Sequence, residues 1–222
     1  MESGDVLLQR LLAGDPDPDG DLANDLLKAI FAGYPKERLR LLLASDNDTA
    51  IEAAAWILSE LGASATPLLA DAAPLLTHRA RGARFDTLDV VLTCAGPQDG
   101  AILAQAILLS DDPDSGVQWK ALRFLTALES PLLEVARAAL PERFRALVRW
   151  LLDTDVGASS PAEMRTLLSD PDPLQRRFAA VALARSRNRA ALLAMADEIT
   201  DPLIQEYVQT LSLRSPRAPS TD

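Results

Sequence analysis

The sequence predicts an all-α protein in which about seven helix pairs stack into one right-handed α-α superhelix. Two observations predict this fold class. Hydrophobic residues make up 48% of the 222-residue chain but aromatic residues only 5%, and Leu and Ala supply most of the apolar content, which favours helices over strands. A helical unit also recurs along the chain, and such internal repeats are typical of stacked repeat proteins.

The recurring unit is an Asp-containing turn followed by a helix. In SDNDTAIEAAAWILSEL, DDPDSGVQWKALRFLTAL and SDPDPLQRRFAAVALARS, an Asp is followed seven residues later by an Ala. We expect the Asp to accept hydrogen bonds from free N–H groups of the first turn and to complement the helix dipole. The small Ala should let neighbouring helices approach closely. The three pairs are Asp48 and Ala55, Asp114 and Ala121, and Asp172 and Ala179.

Apolar residues at helical spacing between these turns predict the remaining helices. In chain order the helices cover about 3–13, 21–33, 36–45, 48–61, 66–78, 83–95, 99–110, 115–129, 132–140, 141–153, 161–169, 173–186, 189–199 and 202–213. A single domain is expected over residues 1–213, in which 1–44 form an atypical N-terminal pair and the first helix of the next pair. The tail 214–222 has two prolines and no large apolar residue, so we expect it to be disordered.

The stretch DPDPDGDL, residues 15–22, precedes the second predicted helix and has two interpretations. Its alternating Asp residues and Gly20 are similar to the start of an EF-hand calcium loop. Such a loop needs a bidentate acid at its twelfth position, which is Leu26 here. Asp-Pro-Asp also recurs before two later helices. We therefore favour a turn whose Asp residues cap the helix that begins near Asp21, and a weak metal site at residues 15–21 stays open.

The repeated unit resembles HEAT repeats, including their short bacterial form. The best match is SDPDPLQRRFAAVALARS, which has Asp-Pro, a basic residue at Arg176 and then AAVAL. The resemblance covers about residues 45–213, and Gln175 and Glu52 depart from the family pattern. It implies a HEAT-like α-solenoid, a scaffold that supports many unrelated functions.

The chain is acidic, with a formal net charge of −10. Such a surface repels nucleic acid and suits a basic partner. No segment is apolar over the length needed to cross a membrane, the N-terminus lacks the basic residues of a signal peptide, and a single cysteine fits a reducing compartment. We expect a cytoplasmic protein that is monomeric before binding and has no membrane or nucleic-acid partner.

The sequence contains few signs of catalysis. His78 is the only histidine and ends a predicted helix, where the dipole favours it. Cys94 has no second thiol or imidazole for a metal site or a nucleophile pair, so a buried inert thiol is expected. No Gly-rich phosphate loop, GxSxG or HExxH occurs. We predict no enzyme activity, no cofactor and no metal, although 32 acidic residues leave a catalytic carboxylate pair open.

A partner-binding strip is predicted on the second helices of the pairs, which tend to line the concave face in HEAT-like stacks. A helical wheel places two tryptophans and four acids on the side opposite the core. Trp119 and Arg123 are four residues apart and are expected to form a cation–π pair. The candidates are Glu52, Trp56, Ser59, Glu60, Asp86, Asp89, Thr93, Trp119, Arg123 and Thr126.

The tryptophans also have a structural interpretation. Trp56 and Trp119 could pack against an adjoining repeat, because a solenoid helix buries more than one side. Trp150 is expected in the core or between repeats. A large ring beside acids is nevertheless typical of a protein-binding hot spot.

The favoured hypothesis is a non-enzymatic protein that binds one basic protein partner. The resemblance to stand-alone HEAT-like chains, together with the charge, implies an immunity protein that neutralises a cognate toxin through its acidic, Trp-containing concave face. A scaffold or assembly adaptor with several partners is the alternative. HEAT-like enzymes are less favoured, because DNA glycosylases need a basic face and bilin-lyase relatives need a tetrapyrrole pocket that the sequence does not reveal.

Overall fold

Helices supply the regular secondary structure of the protein. The computed structural model describes residues 2–15, 20–157, 161–185, 189–194 and 199–213, and no strand occurs in these ranges. The α-helices are α1 Gly4–Ala13, α2 Asp21–Phe31, α3 Arg40–Leu43, α4 Asp48–Glu60, α5 Leu69–Ala72, α6 Arg81–Cys94, α7 Gly100–Leu108, α8 Ser115–Ala127, α9 Ser130–Arg137, α10 Glu142–Asp155, α11 Pro161–Leu167, α12 Pro173–Arg185, α13 Arg189–Ala194 and α14 Pro202–Leu213.

The all-α prediction is confirmed for the described residues. Within these ranges, no helix combines the length and apolar character that crossing a bilayer requires. The predicted disordered tail, 214–222, lies outside them, as do residues 16–19 of the DPDPDGDL stretch. Asp17 and Asp19, on which the calcium interpretation depends, are therefore not described, whereas Asp15 pairs with Arg10 at 2.9 Å.

The predicted helix 66–78 is mostly not α-helical. Two 3-10 segments, Gly62–Leu68 and Ala73–Thr77, flank the four-residue α5. Pro67 and Pro74 lie within these segments. Because proline has no N–H and clashes with the preceding turn, it prevents regular i to i−4 bonding here.

The helix caps agree only in part with the Asp pattern. Asp114 accepts from Val117 N at 3.0 Å and Asp172 from Leu174 N at 2.9 Å, as predicted. In α4, however, the cap is Asn47, which accepts from Thr49 N at 3.0 Å. The predicted cap Asp48 is the first helical residue and pairs with Arg79 at 2.9 Å. At α2 the cap position is Gly20, with a left-handed φ of 75° and no side-chain cap.

A second hydrogen bond, which the sequence did not predict, closes the turns before α6, α8, α12 and α14. The residue four positions after the N-cap donates its side-chain N–H back to a backbone carbonyl six residues earlier. The bonds are Arg84 to His78 O, Gln118 to Asp112 O, Arg176 to Asp170 O and Gln205 to Ile199 O. Both Arg and Gln make this bond, so the turn requires a long side chain with an N–H donor at this position rather than Arg specifically.

The first of two compact units, Met1–Ile102, consists of two layers of helices. α1, α3 and α5 pack side by side in one layer, and α2, α4 and α6 in the other. An apolar cluster of Ile51, Ala55, Leu75 and Ala83 joins α4 to α6 and to the 3-10 segment Ala73–Thr77. Ala55 is fully buried, which agrees with the close-approach role predicted for the repeated Ala.

The second unit, Leu103–Asp222, is centred on α12. α12 packs against α8, α10, α11 and α13, and α8 packs against α14 as well. Ala121 and Ala179 are fully buried. A regular solenoid brings each repeat against its sequence neighbours, whereas α8 contacts helices much later in the chain. Superhelical, HEAT-like stacking therefore stays a prediction.

A buried ion pair ties four helices of this unit together. The Arg185 guanidinium pairs with Asp155, and their side chains are only 7% and 15% exposed. Arg185 also donates to the carbonyls of Leu125 and Leu128 at the end of α8, and Ser130 donates to Asp155 at 2.7 Å. The guanidinium thus satisfies carbonyl groups that the end of α8 leaves without helical partners.

Candidate functional site

A groove lies between α2, α4 and α6 in the first unit, with a volume of about 680 Å³. This size is within the range of ordinary ligand pockets. The layer of second helices forms it, as the sequence predicts for a binding surface. It is lined by Gly20, Asp21, Ala23, Asn24, Thr49, Glu52, Ala53, Trp56, Arg81, Gly82 and Asp86.

Helical periodicity explains how α4 contributes to the groove. Thr49, Glu52, Ala53 and Trp56 are spaced three and four residues apart, so they lie on one face of the helix. The opposite face carries fully buried residues such as Ala54 and Leu58. Trp56 is consequently only half-buried, with its ring at the groove.

Glu52 is held in position by the start of α6. Its Oε1 accepts a hydrogen bond from Gly82 N at 2.8 Å, and the N-cap of α6 is Ala80, whose side chain cannot cap. Glu52 therefore caps a neighbouring helix from α4. A Cβ on Gly82 would lie 2.7 Å from this carboxylate oxygen, so a larger residue there would require the Glu52 side chain to move. No partner of Oε2 is found in the described part of the chain.

The charges around the groove are mainly negative. Three helices each contribute one carboxylate, Asp21, Glu52 and Asp86, and only Arg81 contributes a positive charge. The Arg81 guanidinium lies 5.3 Å from the centre of the Phe85 ring. A concave surface with clustered carboxylates concentrates negative potential and attracts cationic groups.

The other predicted residues of this unit lie on α4 and α6 but outside the groove lining. Ser59 donates to the Trp56 carbonyl at 2.7 Å, which satisfies its hydroxyl within α4. Glu60 and Thr93 are exposed, and Asp89 is half-buried. The groove therefore contains Glu52, Trp56 and Asp86 of the seven candidates in this unit.

The predicted Trp119–Arg123 pair in the second unit is confirmed. The Arg123 guanidinium lies 4.9 Å from the centre of the Trp119 ring. The indole N–H of Trp119 is buried, and no hydrogen-bond acceptor for it is present among the described residues. Thr126 donates to Leu122 O at 2.8 Å, and its hydroxyl is hydrogen-bonded to that of Tyr207 on α14. Thr126 thus takes part in packing within the unit.

His78 and Cys94 both make contacts within the fold. His78 follows a 3-10 segment rather than an α-helix, and its Nδ1 accepts from Ala80 N at 3.2 Å. The Cys94 thiol is buried and contacts Gly62 O at 3.5 Å. Burial raises the pKa of Cys94, opposed by a hydrogen bond with Thr66. A thiol that is held protonated is a poor nucleophile. No metal-binding cluster of His, Cys, Asp or Glu occurs where side chains are described.

Sequence reasoning predicted Glu52, Trp56 and Asp86 and missed the other groove residues, including Thr49 and Ala53 on α4. Asp21 and Asn24 lie near the start of α2, and Arg81 and Gly82 at the start of α6. The prediction treated helix starts only as capping sites. The four-residue spacing of Arg81 and Phe85 was a usable signal, because the same spacing was recognised for Trp119 and Arg123.

The chain matches no protein-family model, and no curated protein matches its sequence.

Proposed function

We propose that this protein is a non-enzymatic binding protein whose groove between α2, α4 and α6 holds a basic segment of one protein partner. The observation that supports the proposal is the groove itself. It places a half-buried tryptophan beside carboxylates from three helices. Hot spots of protein interfaces favour tryptophan in a concave, water-excluding setting.

Charge favours a basic protein over other partners. The chain carries a net charge of −10, and the groove carries three carboxylates against one guanidinium. Attraction of opposite charge accelerates association and favours basic partners over acidic ones. A phosphate backbone would meet repulsion from both the groove and the chain as a whole.

The finer proposal is that the partner is a toxin and that binding neutralises it. It is supported by the HEAT-like resemblance of the repeated unit and by the acidity of the chain. In this account the groove covers a basic functional surface of the toxin. The partner should then be captured as a single stoichiometric protein and should lose its activity when it is bound.

Affinity capture with groove variants tests the proposal. Wild-type protein, Trp56→Ala, Asp86→Lys and Asp21→Lys are used as baits in extract from cells that produce the natural chain. Asp21 is exposed, so its reversal changes groove charge with little effect on packing. Glu37→Lys is the matched control, because Glu37 is exposed, lies in the same unit and is outside the groove lining.

The expected result is one basic protein at a fixed stoichiometry with the wild type and Glu37→Lys, and much less with the three groove variants. Circular dichroism melts should show that the variants stay folded. Equal capture by all baits would contradict the groove as the binding surface. Several partners at variable stoichiometry would contradict neutralisation and favour a scaffold, and an undiminished activity of the captured protein would also contradict neutralisation.

A further inference from the structure

Trp56 and Trp119 are both half-buried, and they differ in whether a cation covers the ring. Trp119 has Arg123 four residues later, and that guanidinium lies over the ring. Trp56 has Glu60 at the corresponding position and Glu52 four residues before it. Residues four apart are neighbours on a helix surface, so one ring is paired with a guanidinium and the other is flanked by two carboxylates.

No arginine or lysine in the described ranges lies over the Trp56 ring. Phe85, on the neighbouring α6, has its own guanidinium from Arg81. Among the described residues, Phe85 and Trp119 are thus paired with arginines at a spacing of four residues. At the same spacing from Trp56, α4 supplies Glu52 and Glu60, and Trp56 lines the groove.

We propose that the Trp56 site receives an arginine side chain of the bound partner. The guanidinium stacks on the indole ring and donates to Oε2 of Glu52. This inference rests on the proposed function and names the chemical group that the groove recognises. The groove is large enough for a whole side chain with its backbone, since its volume is about 680 Å³ and ordinary ligand pockets start at about 300 Å³.

Arginine fits this site better than lysine. A guanidinium is planar and weakly hydrated, so it can stack on an aromatic face and donate hydrogen bonds at its edge at the same time. The ammonium of lysine is compact and strongly hydrated. Glu52 is already oriented by Gly82 N at 2.8 Å, so little side-chain entropy is lost when its second oxygen accepts a bond.

Peptide titration tests the inference on the intact protein. The probes are three acetylated hexapeptides in which glycine alternates with arginine, lysine or citrulline, together with L-argininamide and spermidine. Binding is followed by NMR through the indole N–H resonances of the three tryptophans. We expect the arginine peptide to shift the Trp56 resonance and to bind about tenfold more tightly than the citrulline peptide, which has the same shape but no charge. It should also bind more tightly than the lysine peptide.

A substitution that supplies a cation from within the chain gives a second test. Glu60→Arg should place a guanidinium over Trp56, as Arg123 does over Trp119. It should weaken binding of the arginine peptide about tenfold or more. Glu37→Arg makes the same change in charge on another element, away from the Trp56 ring, and should have less than a threefold effect at 150 mM salt, where exposed charges are largely screened. Trp56→Leu should lose most of the preference for arginine over lysine.

The outcomes separate this inference from the proposed function. A weak shift of the Trp56 resonance by argininamide, together with tighter binding of the arginine peptide, supports recognition of an arginine side chain that a protein presents. Spermidine or the lysine peptide binding as tightly as the arginine peptide would overturn the inference, as would an arginine peptide that leaves the Trp56 resonance unchanged. If the natural partner nevertheless binds wild type and not Asp21→Lys, the proposed function stands and only the arginine anchor fails.

Discussion

The two units of this protein place their polar side chains differently. In the second unit the main polar groups are paired inside the fold: Arg185 with Asp155, Thr126 with Tyr207, and Arg123 with the Trp119 ring. In the first unit Asp21 and Trp56 border a groove, and Glu52 uses only one carboxylate oxygen for capping. This difference supports the proposal that the first unit carries the binding surface.

The same helical spacing produces both arrangements. A tryptophan followed by Arg at the fourth position forms a pair within its own helix, whereas one followed by Glu has a surface suited to a cation from elsewhere. The residues four positions before and after an outward-facing tryptophan therefore indicate whether its ring is paired within the helix or can accept a cation from elsewhere. The following substitutions test whether the two units differ as described.

The largest expected effect is on the buried ion pair of the second unit. Arg185→Met should lower the free energy of unfolding by about 3–5 kcal/mol, because it leaves Asp155 without its cation and the α8 carbonyls without donors. Urea denaturation followed by circular dichroism measures it. Arg79→Met in the first unit removes an exposed pair with Asp48 and should cost no more than about 1 kcal/mol. Equal losses in the two variants would contradict the proposed difference.

A matched pair of threonines tests the comparison at a smaller scale. Thr126→Val should cost about 1–2 kcal/mol, because the hydroxyl of the fully buried Tyr207 loses a hydrogen-bond partner. Thr93→Val, on the exposed side of α6, should change stability by less than about 0.5 kcal/mol. Thermal melts of the two variants give the comparison, and a larger loss at Thr93 would show that α6 is covered by packing.

The capping role of Glu52 should be separable from its binding role. Glu52→Ala should cost about 1 kcal/mol, the usual effect of losing an N-cap acceptor, and Glu52→Gln should cost less because an amide oxygen still accepts from Gly82 N. Both variants should weaken binding of a cationic partner, since both remove the negative charge of Glu52. Retention of full affinity by Glu52→Gln would show that this carboxylate takes no part in recognition. Chemical denaturation and titration of the same samples measure the two effects.

The smallest predicted effect is the pH dependence of the Asp172 cap. Burial acts to raise the pKa of Asp172, but hydrogen bonds from Arg143 and Leu174 N outweigh it and lower the pKa. The stabilisation is therefore fully present above the unfolded pKa of about 3.9 and is lost as the pH falls through the lower folded pKa. Unfolding free energies measured from pH 6 to pH 2 should fall less steeply for Asp172→Asn than for the wild type. Parallel profiles would contradict this cap.

The sequence predicts helices and buried positions better than it predicts contacts. Asp114, Asp172 and the three repeated Ala residues have their expected roles because capping and close packing are local, periodic properties. Asn47 rather than Asp48 caps α4. Either residue type can cap, and a shift of one position decides which side chain reaches the free N–H groups. The Glu52–Gly82 bond and the α8–α14 packing could not be predicted, since both join residues about 30 to 80 positions apart.

The central claim is that the groove beside Trp56, and not the Trp119 surface, carries recognition. Calorimetric titration of the captured partner into wild type, Trp56→Ala and Trp119→Ala tests it most directly. The account predicts that Trp56→Ala weakens binding by about 30-fold or more, the effect of a hot-spot residue, and that Trp119→Ala changes it by less than about threefold. Wild-type affinity in Trp56→Ala, or a loss confined to Trp119→Ala, would contradict it.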